Sequence, residues 1–176
     1  MNFTNTDCVK RKVWRDIDSK VDNQMYFHVS DHLYWKVDRV ANKLKGKPAG
    51  CIDGKGYLQT KVNDVLYKNH RIIYAMFHNV WPKLIDHIDG NPLNNDIKNL
   101  REATISQNTM NSKMYSHNTT GVKGVEWNKR LQRWTVRIQV NGKRKYFGCY
   151  KDIDYATFVA EAMRYKYHGQ FANNGK

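Results

Sequence analysis

The sequence predicts an α+β fold in two units. The first has short hairpins leading into a strand–loop–strand–helix motif, and the second is a three-stranded antiparallel sheet packed on one helix. Three observations lead there. Residues 134–140 alternate strictly, with Trp134, Val136, Ile138 and Val140 on one face and Thr135, Arg137 and Gln139 on the other, which is the period of a half-buried strand. Asn141-Gly142 follows at once, and both residues accept the positive φ of a two-residue hairpin turn. Residues 84–100 crowd Asp, His and Asn around the sharp turn at Asp89-Gly90, after which Thr104 and Gln107 form a capping-box pair that opens a helix.

In the first unit a basic segment (Lys10, Arg11, Lys12, Arg15) precedes short strands expected at 26–29 and 33–37. Strands at 56–62 and 65–68 flank Asn63-Asp64, a polar pair suited to a tight turn. Residues 70–78 place Ile73, Met76 and Phe77 at helical spacing and stop before Trp81-Pro82. The polar, turn-rich stretch 111–121 reads as a linker, giving units 1–116 and 117–176 with the boundary near Ser116.

In the second unit the Asn141-Gly142 turn sets Gln139 opposite Arg144, Arg137 opposite Tyr146 and Val136 opposite Phe147, and a strand at 122–127 joins as the third. Asp152 is placed to cap a helix in which Ala156, Val159, Ala160, Met163 and Tyr167 form the apolar stripe and Gly169 ends the run. Small alanines let that helix lie close on one sheet face. The other face then exposes Arg137, Gln139, Arg144 and Tyr146, a surface fit to read a DNA groove.

A chain of 176 residues fits one ordinary domain or two small ones, and 40% apolar with 12% aromatic residues supplies cores, which excludes a wholly disordered basic tail. Thirty Lys and Arg against 16 Asp and Glu leave a formal net charge of +14. Such a surplus favours a polyanionic partner, because neutralising phosphates releases condensed counterions, and nucleic acid leads. A merely soluble basic surface, or attraction to anionic lipid, is the alternative that charge alone leaves open. Residues 121–176 carry 12 basic and 4 acidic residues, so the positive charge is densest at the C-terminus. No apolar run approaches the roughly 18 residues of a membrane span, and the N-terminus lacks a hydrophobic segment, so neither secretion nor a membrane partner is expected. Cys8, Cys51 and Cys149 are odd in number and never form a CxxC pair, which argues against a disulfide framework or a cysteine zinc site and fits a reducing cytoplasm.

The segment able to do chemistry is 84–108. If the strand carrying Asp86 and His87 packs against the helix opened by Thr104, a carboxylate, an imidazole and the Asn108 carboxamide converge. Phosphodiester cleavage calls for such a set: a divalent metal on oxygen ligands, for which Mg²⁺ or Mn²⁺ is suited, and a base that titrates near neutrality. Asn-rich loops also serve turns by bonding their own backbone, and residue types alone leave both readings open. Lys83, Lys98 and Arg101 flank the segment and suit phosphate contacts or plain solvation equally. His70 is read as packing beside Ile72 and Ile73, and His28, His32, His78, His117 and His168 as surface or packing residues.

Asp86-His87, Asp89-Gly90-Asn91, Asn94-Asn95, Asn99-Leu100 and Ser106-Gln107-Asn108 together resemble the HNH homing-endonuclease motif in its His-Asn-Asn form. The hairpin at Gly56-Tyr57-Leu58 and the helix at His70-Arg71 resemble what precedes it in phage intron-type members, so the likeness spans about 26 to 115. It implies Asp86 and Asn108 as metal ligands, His87 as general base, and Asn99 holding the loop and the orientation of His87. Asn108 stands where many HNH enzymes have a final His. No structural zinc is expected.

Gly121-Val-Lys-Gly-Val125, Trp134 to Ile138, Lys145-Tyr-Phe-Gly148 and the Ala-rich helix resemble the plant ethylene-response-factor (APETALA) DNA-binding domain over 121–172. That likeness implies DNA contacts from Lys123, Glu126, Asn128, Arg137, Gln139, Arg144 and Tyr146. Glu126, Asn128, Gln139 and Tyr146 depart from the plant pattern, so sequence preference does not carry over.

The expected function is a metal-dependent endonuclease of double-stranded DNA, with no small-molecule cofactor. It is expected to act as a monomer that nicks, in a bacterial cytoplasm if phage-encoded. The alternatives are a DNA-binding regulator whose HNH-like unit is inactive, and an RNA-binding module, for which the sheet lacks a dense aromatic cluster.

Overall fold

The computed structural model describes residues 25–28, 32–38 and 43–175. Cys8, the basic segment at Lys10, Arg11, Lys12 and Arg15, the side chain of His28, and Val29 lie outside the described residues. The chain divides into two compact units, one ending at Glu102 and the other beginning at Ala103. No helix among the described residues is long and apolar enough to cross a membrane.

In the first unit β1 (Met25–His28) pairs antiparallel with β2 (His32–Trp35), and β3 (Cys51–Ile52), β4 (Leu58–Val62) and β5 (Val65–Lys68) form a second sheet in that order. The β4–β5 turn is the expected one: Asn63 and Asp64 take φ of 46° and 65°, the left-handed values that their short polar side chains tolerate. Helix α1 (Asn69–His78) follows directly. Its buried face is Ile72, Ile73 and Ala75, whereas Met76 is half-buried and Phe77 is 62% exposed. The expected stripe is therefore rotated. The cause is Asn69, buried at the start of the helix, which accepts a hydrogen bond from Thr60 Oγ1 at 2.7 Å and donates to the Ala49 carbonyl at 2.8 Å. Those two bonds fix which side of α1 faces β4.

Strands β6 (Ile85–His87) and β7 (Leu100–Glu102) pair antiparallel, with Asp86 opposite Arg101 and His87 opposite Leu100, and a single 3-10 turn at Ile97–Asn99 lies between them. Ile85 and Leu100 join Leu33, Trp35, Ala49, Val62, Ile72 and Ile73 in one core. Burial of each large aliphatic side chain there contributes about 1.5–3 kcal/mol, so the Asp86-His87 strand is anchored by the residues on either side of its polar pair.

In the second unit α2 (Ile105–Met110) precedes the sheet β8 (Val125–Asn128), β9 (Arg133–Val140) and β10 (Lys143–Tyr150), ordered β10-β9-β8, and α3 (Ile153–His168) packs on it. The stretch read as a linker around Ser116 lies inside this unit. Its path is set by Asn118, whose carboxamide oxygen accepts from the Thr120 and Gly121 amides at 3.0 and 2.8 Å while its nitrogen donates to the Val122 carbonyl at 3.0 Å.

Gln139 lies opposite Arg144 and Arg137 opposite Tyr146, as the turn requires. The register then shifts between Tyr146 and Cys149, so Val136 meets a bulge at Phe147-Gly148 rather than a plain partner. The Tyr150 hydroxyl stabilises that bulge by donating to the Phe147 carbonyl at 2.7 Å. Asp152 caps α3 through its carboxylate and the Tyr155 amide at 2.7 Å.

The buried face of α3 is Ala156, Ala160, Arg164 and His168, in place of the expected Met163 and Tyr167. Apolar patterning misses the last two because they are polar side chains that find partners. The Arg164 guanidinium donates to the Lys123 carbonyl and the Asn174 carboxamide, and His168 Nε2 donates to the Gln139 carbonyl at 2.7 Å.

Gly124 has φ of +79°, and a Cβ there would stand 2.7 Å from the Arg137 carbonyl oxygen. Gly124→Ala is expected to destabilise the protein by about 1–3 kcal/mol. A lowered urea midpoint with unchanged slope checks this.

Candidate functional site

The Asp86-His87 strand is buried at all three of its positions, so both faces are covered. Neighbouring strand residues point to opposite faces, and the two functional groups have different surroundings. On one side the Asp86 carboxylate, 4% exposed, is held through Oδ2 by Arg101 Nε at 2.8 Å and by the terminal guanidinium nitrogen at 2.7 Å. Arg101 is therefore the direct cross-strand partner of Asp86 rather than a solvated flanking charge.

On the other side the His87 ring, 6% exposed, places Nε2 3.1 Å from the Asn95 Oδ1. A carboxamide oxygen only accepts, so Nε2 carries the proton and, in the neutral ring, Nδ1 bears the lone pair. Asn95, 1% exposed, was visible in the sequence only as part of an Asn-Asn pair, and its role was missed. The signal that could have found it is position: it lies eight residues after His87, inside the loop that returns the chain toward β7.

The His87 ring also lies 5.0 Å from the His70 ring, edge to face at 79°, and 5.9 Å from the Tyr57 ring. Asp53 places Tyr57 by accepting from the Lys55 and Tyr57 amides at 2.9 and 2.8 Å across the β3–β4 turn. His70 is 8% exposed, and burial, with the His87 ring and the cationic Arg71 and Lys68 close by, pushes its pKa down to about 3.

An unfolded His70 takes its proton near 6.5, so between 6.5 and about 3 the unfolded state binds more protons. The stability from keeping this ring neutral is complete above 6.5 and lost progressively as pH falls toward 3. His70→Phe is expected to flatten the decline in stability across that window, measured by urea unfolding at each pH.

Asn99 holds the loop. Its nitrogen donates to Asp89 Oδ1 at 2.9 Å and to the Asn94 carbonyl at 2.8 Å, and its oxygen accepts from the Asp89 amide at 3.0 Å. Asn94 adds a bond to Asp89 Oδ2 at 2.7 Å. The bond to the His87 ring comes from Asn95, not Asn99, because the loop hydrogen bonds already consume both ends of the Asn99 carboxamide.

Asn108 lies on α2 in the second unit, exposed, its amide bonded to the Thr104 carbonyl at 2.9 Å. The capping box that starts this helix is formed in both directions: Thr104 Oγ1 accepts from the Gln107 amide at 3.2 Å and Gln107 Oε1 from the Thr104 amide at 2.8 Å.

A carboxylate oxygen such as that of Asp86, or a carboxamide oxygen such as that of Asn108, is a hard donor of the kind that Mg²⁺ or Mn²⁺ takes. Among the described residues no group of three or more His, Cys, Asp and Glu side chains is gathered for a metal.

On the second unit the strand register puts Glu126, Asn128, Arg137, Gln139, Arg144 and Tyr146 on one sheet face, away from α3. Glu126 pairs with Arg137 and, at 3.3 Å, with Arg144, so two of the cationic groups are partly neutralised within the face. Asn128 turns its oxygen to the Arg130 and Leu131 amides, both at 3.1 Å, and so shapes the β8–β9 turn. Tyr146 is 59% exposed and donates to Cys149 Sγ at 3.1 Å. Lys123 departs from the expectation: half-buried, it turns its ammonium to the Met110 carbonyl at 3.3 Å and to the Ser112 carbonyl. Arg133, opposite Asn128, belongs to the exposed face and was missed, although the alternation of 134–140 extended by one residue would have included it.

Comparison with known proteins gives a family. Residues 67–110 match the HNH endonuclease family, a span that includes Asp86, His87, Asn95, Asn99 and Asn108. Over 88 residues the chain is 39% identical to Protein 3.8 of Escherichia phage T7, covering 50% of this chain and 72% of that protein. No solved structure matches at a significant level.

Proposed function

We propose, from the premise that the chain belongs to the same family as Protein 3.8 of Escherichia phage T7 and carries an HNH endonuclease domain at residues 67–110, that it is a metal-dependent endonuclease of double-stranded DNA. The observation that carries the reading is the His87 ring, buried and locked through Nε2 to Asn95, so that Nδ1 is the basic atom. Nδ1 takes a proton from water as the water oxygen bonds to phosphorus. The bond from phosphorus to O3′ then breaks and the departing O3′ takes a proton from solvent water, leaving a 5′-phosphate and a 3′-hydroxyl. A divalent cation held by Asp86 and Asn108 would supply neutralisation of the charge growing on the phosphate oxygens. Asn99 keeps the loop closed through Asp89 and Asn94.

The sheet face bearing Arg137, Gln139, Arg144 and Tyr146 is the proposed target-binding surface, with Arg133 added to it. A monomer with one HNH centre cuts one strand per encounter, and nicking inside the host cytoplasm is the corresponding mode of action.

A second reading, a DNA-binding regulator without cleavage, draws on the Arg101 guanidinium already seated on Asp86. Duplex DNA labelled separately on each strand separates the two. With Mg²⁺ or Mn²⁺ the nuclease cuts, and a chelator abolishes cutting. The regulator binds the duplex and leaves it whole under both conditions.

A further inference from the structure

The helix that carries Asn108 has six residues and buries none of them. A helix that short is unstable unless its ends are tied. Its N-terminus is tied by the Thr104–Gln107 capping box. Its C-terminal end is tied by the sheet unit. Lys123 Nζ donates to the Met110 and Ser112 carbonyls, a cation placed where the last carbonyls of a helix concentrate negative charge. Asn173 Nδ2 donates to the carbonyl and side-chain oxygen of Asn111 at 2.9 and 3.3 Å, and Asn111 is itself buried.

Lys123 and the neighbour of Asn173 are themselves secured to α3. Arg164, 2% exposed, donates to the Lys123 carbonyl, holding that backbone directly, and to the side chain of Asn174, next to Asn173. Half-burial and the nearby Arg164 push the Lys123 pKa down to about 8, as expected of an ammonium withdrawn from solvent.

The structure assigns Lys123 a positioning role: with Asn173 it clamps the C-terminal end of the Asn108 helix to the sheet unit, so that the DNA-reading face and Asn108 form one rigid piece. What Asn108 does there rests on the nuclease reading above, whereas the clamp itself does not. An ammonium committed to two carbonyls is unavailable as the phosphate contact that resemblance to plant DNA-binding domains implied for this position.

The test uses the full chain and the Lys123→Met variant, which keeps the aliphatic stem and loses the donors. Amide hydrogen exchange across 105–112 is expected to accelerate about tenfold, the equivalent of one charge-assisted hydrogen bond. Duplex affinity should stay at the level of the parent, while kcat with saturating Mn²⁺ falls about tenfold or more through misplacement of Asn108. Lost duplex affinity with unchanged kcat and exchange would restore Lys123 to the phosphate-contact role and overturn the clamp. Asn173→Ala, which removes only the bonds to Asn111, guards against a variant that fails to fold. Faster exchange confined to 105–112 supports the clamp, and unchanged exchange there overturns it. If the parent protein cuts no DNA with either metal, the nuclease reading fails while the exchange result still judges the clamp.

Discussion

His87→Ala is expected to lower the single-turnover rate of DNA cleavage by about 10²- to 10⁴-fold, the usual contribution of a positioned general base, while duplex binding in a gel-shift assay is retained. The two readouts separate because of where the residues sit. His87 is enclosed by Asn95, His70 and Tyr57 in the first unit, whereas the cationic face of the sheet belongs to the second. His87→Gln, whose carboxamide can still donate toward Asn95, controls for the cavity left by alanine and should be as slow as His87→Ala. A His87→Ala protein that cuts at the parent rate would remove this residue from the chemistry.

The sequence made the site legible wherever spacing alone determined local geometry. The Asn63-Asp64 and Asn141-Gly142 turns, the capping box at Thr104 and Gln107 and the cap at Asp152 all depend on a few neighbouring residues and form as read. The pairings of Gln139 with Arg144 and of Arg137 with Tyr146 followed from turn length. What escaped were residues whose place is decided by distant partners. Arg164 and His168 are polar, so the apolar pattern passed over them, yet bonds to Lys123 and Gln139 draw both inward and turn the face of α3. Asn69 rotates α1 in the same way through Thr60 and Ala49. Lys123 read as a surface cation for a related reason: a lysine sends the same sequence signal whether it faces phosphate or a helix terminus.

Asn95→Ala should slow cleavage by about 10- to 100-fold without changing duplex affinity, the cost typical of removing the group that orients a catalytic side chain. The Asn95 oxygen fixes the proton on Nε2 of His87, whereas the Asn99 carboxamide is spent on Asp89 and Asn94. Without that acceptor the imidazole samples both tautomers, and the form with its proton on Nδ1 has no lone pair there to accept one from water. The ¹⁵N chemical shifts of the His87 ring, measured without metal or DNA, should move from the Nε2-protonated pattern toward an average of the two. Asn95→Asp, which retains an acceptor, should recover the parent pattern. Asn99→Ala acts differently, because it releases the Asp89 amide and loosens the 89–95 loop as a whole, so its loss of activity should come with faster amide exchange across that loop. Equal ring shifts in the parent and Asn95→Ala proteins would show that the ring is oriented by its packing against His70 and Tyr57 instead.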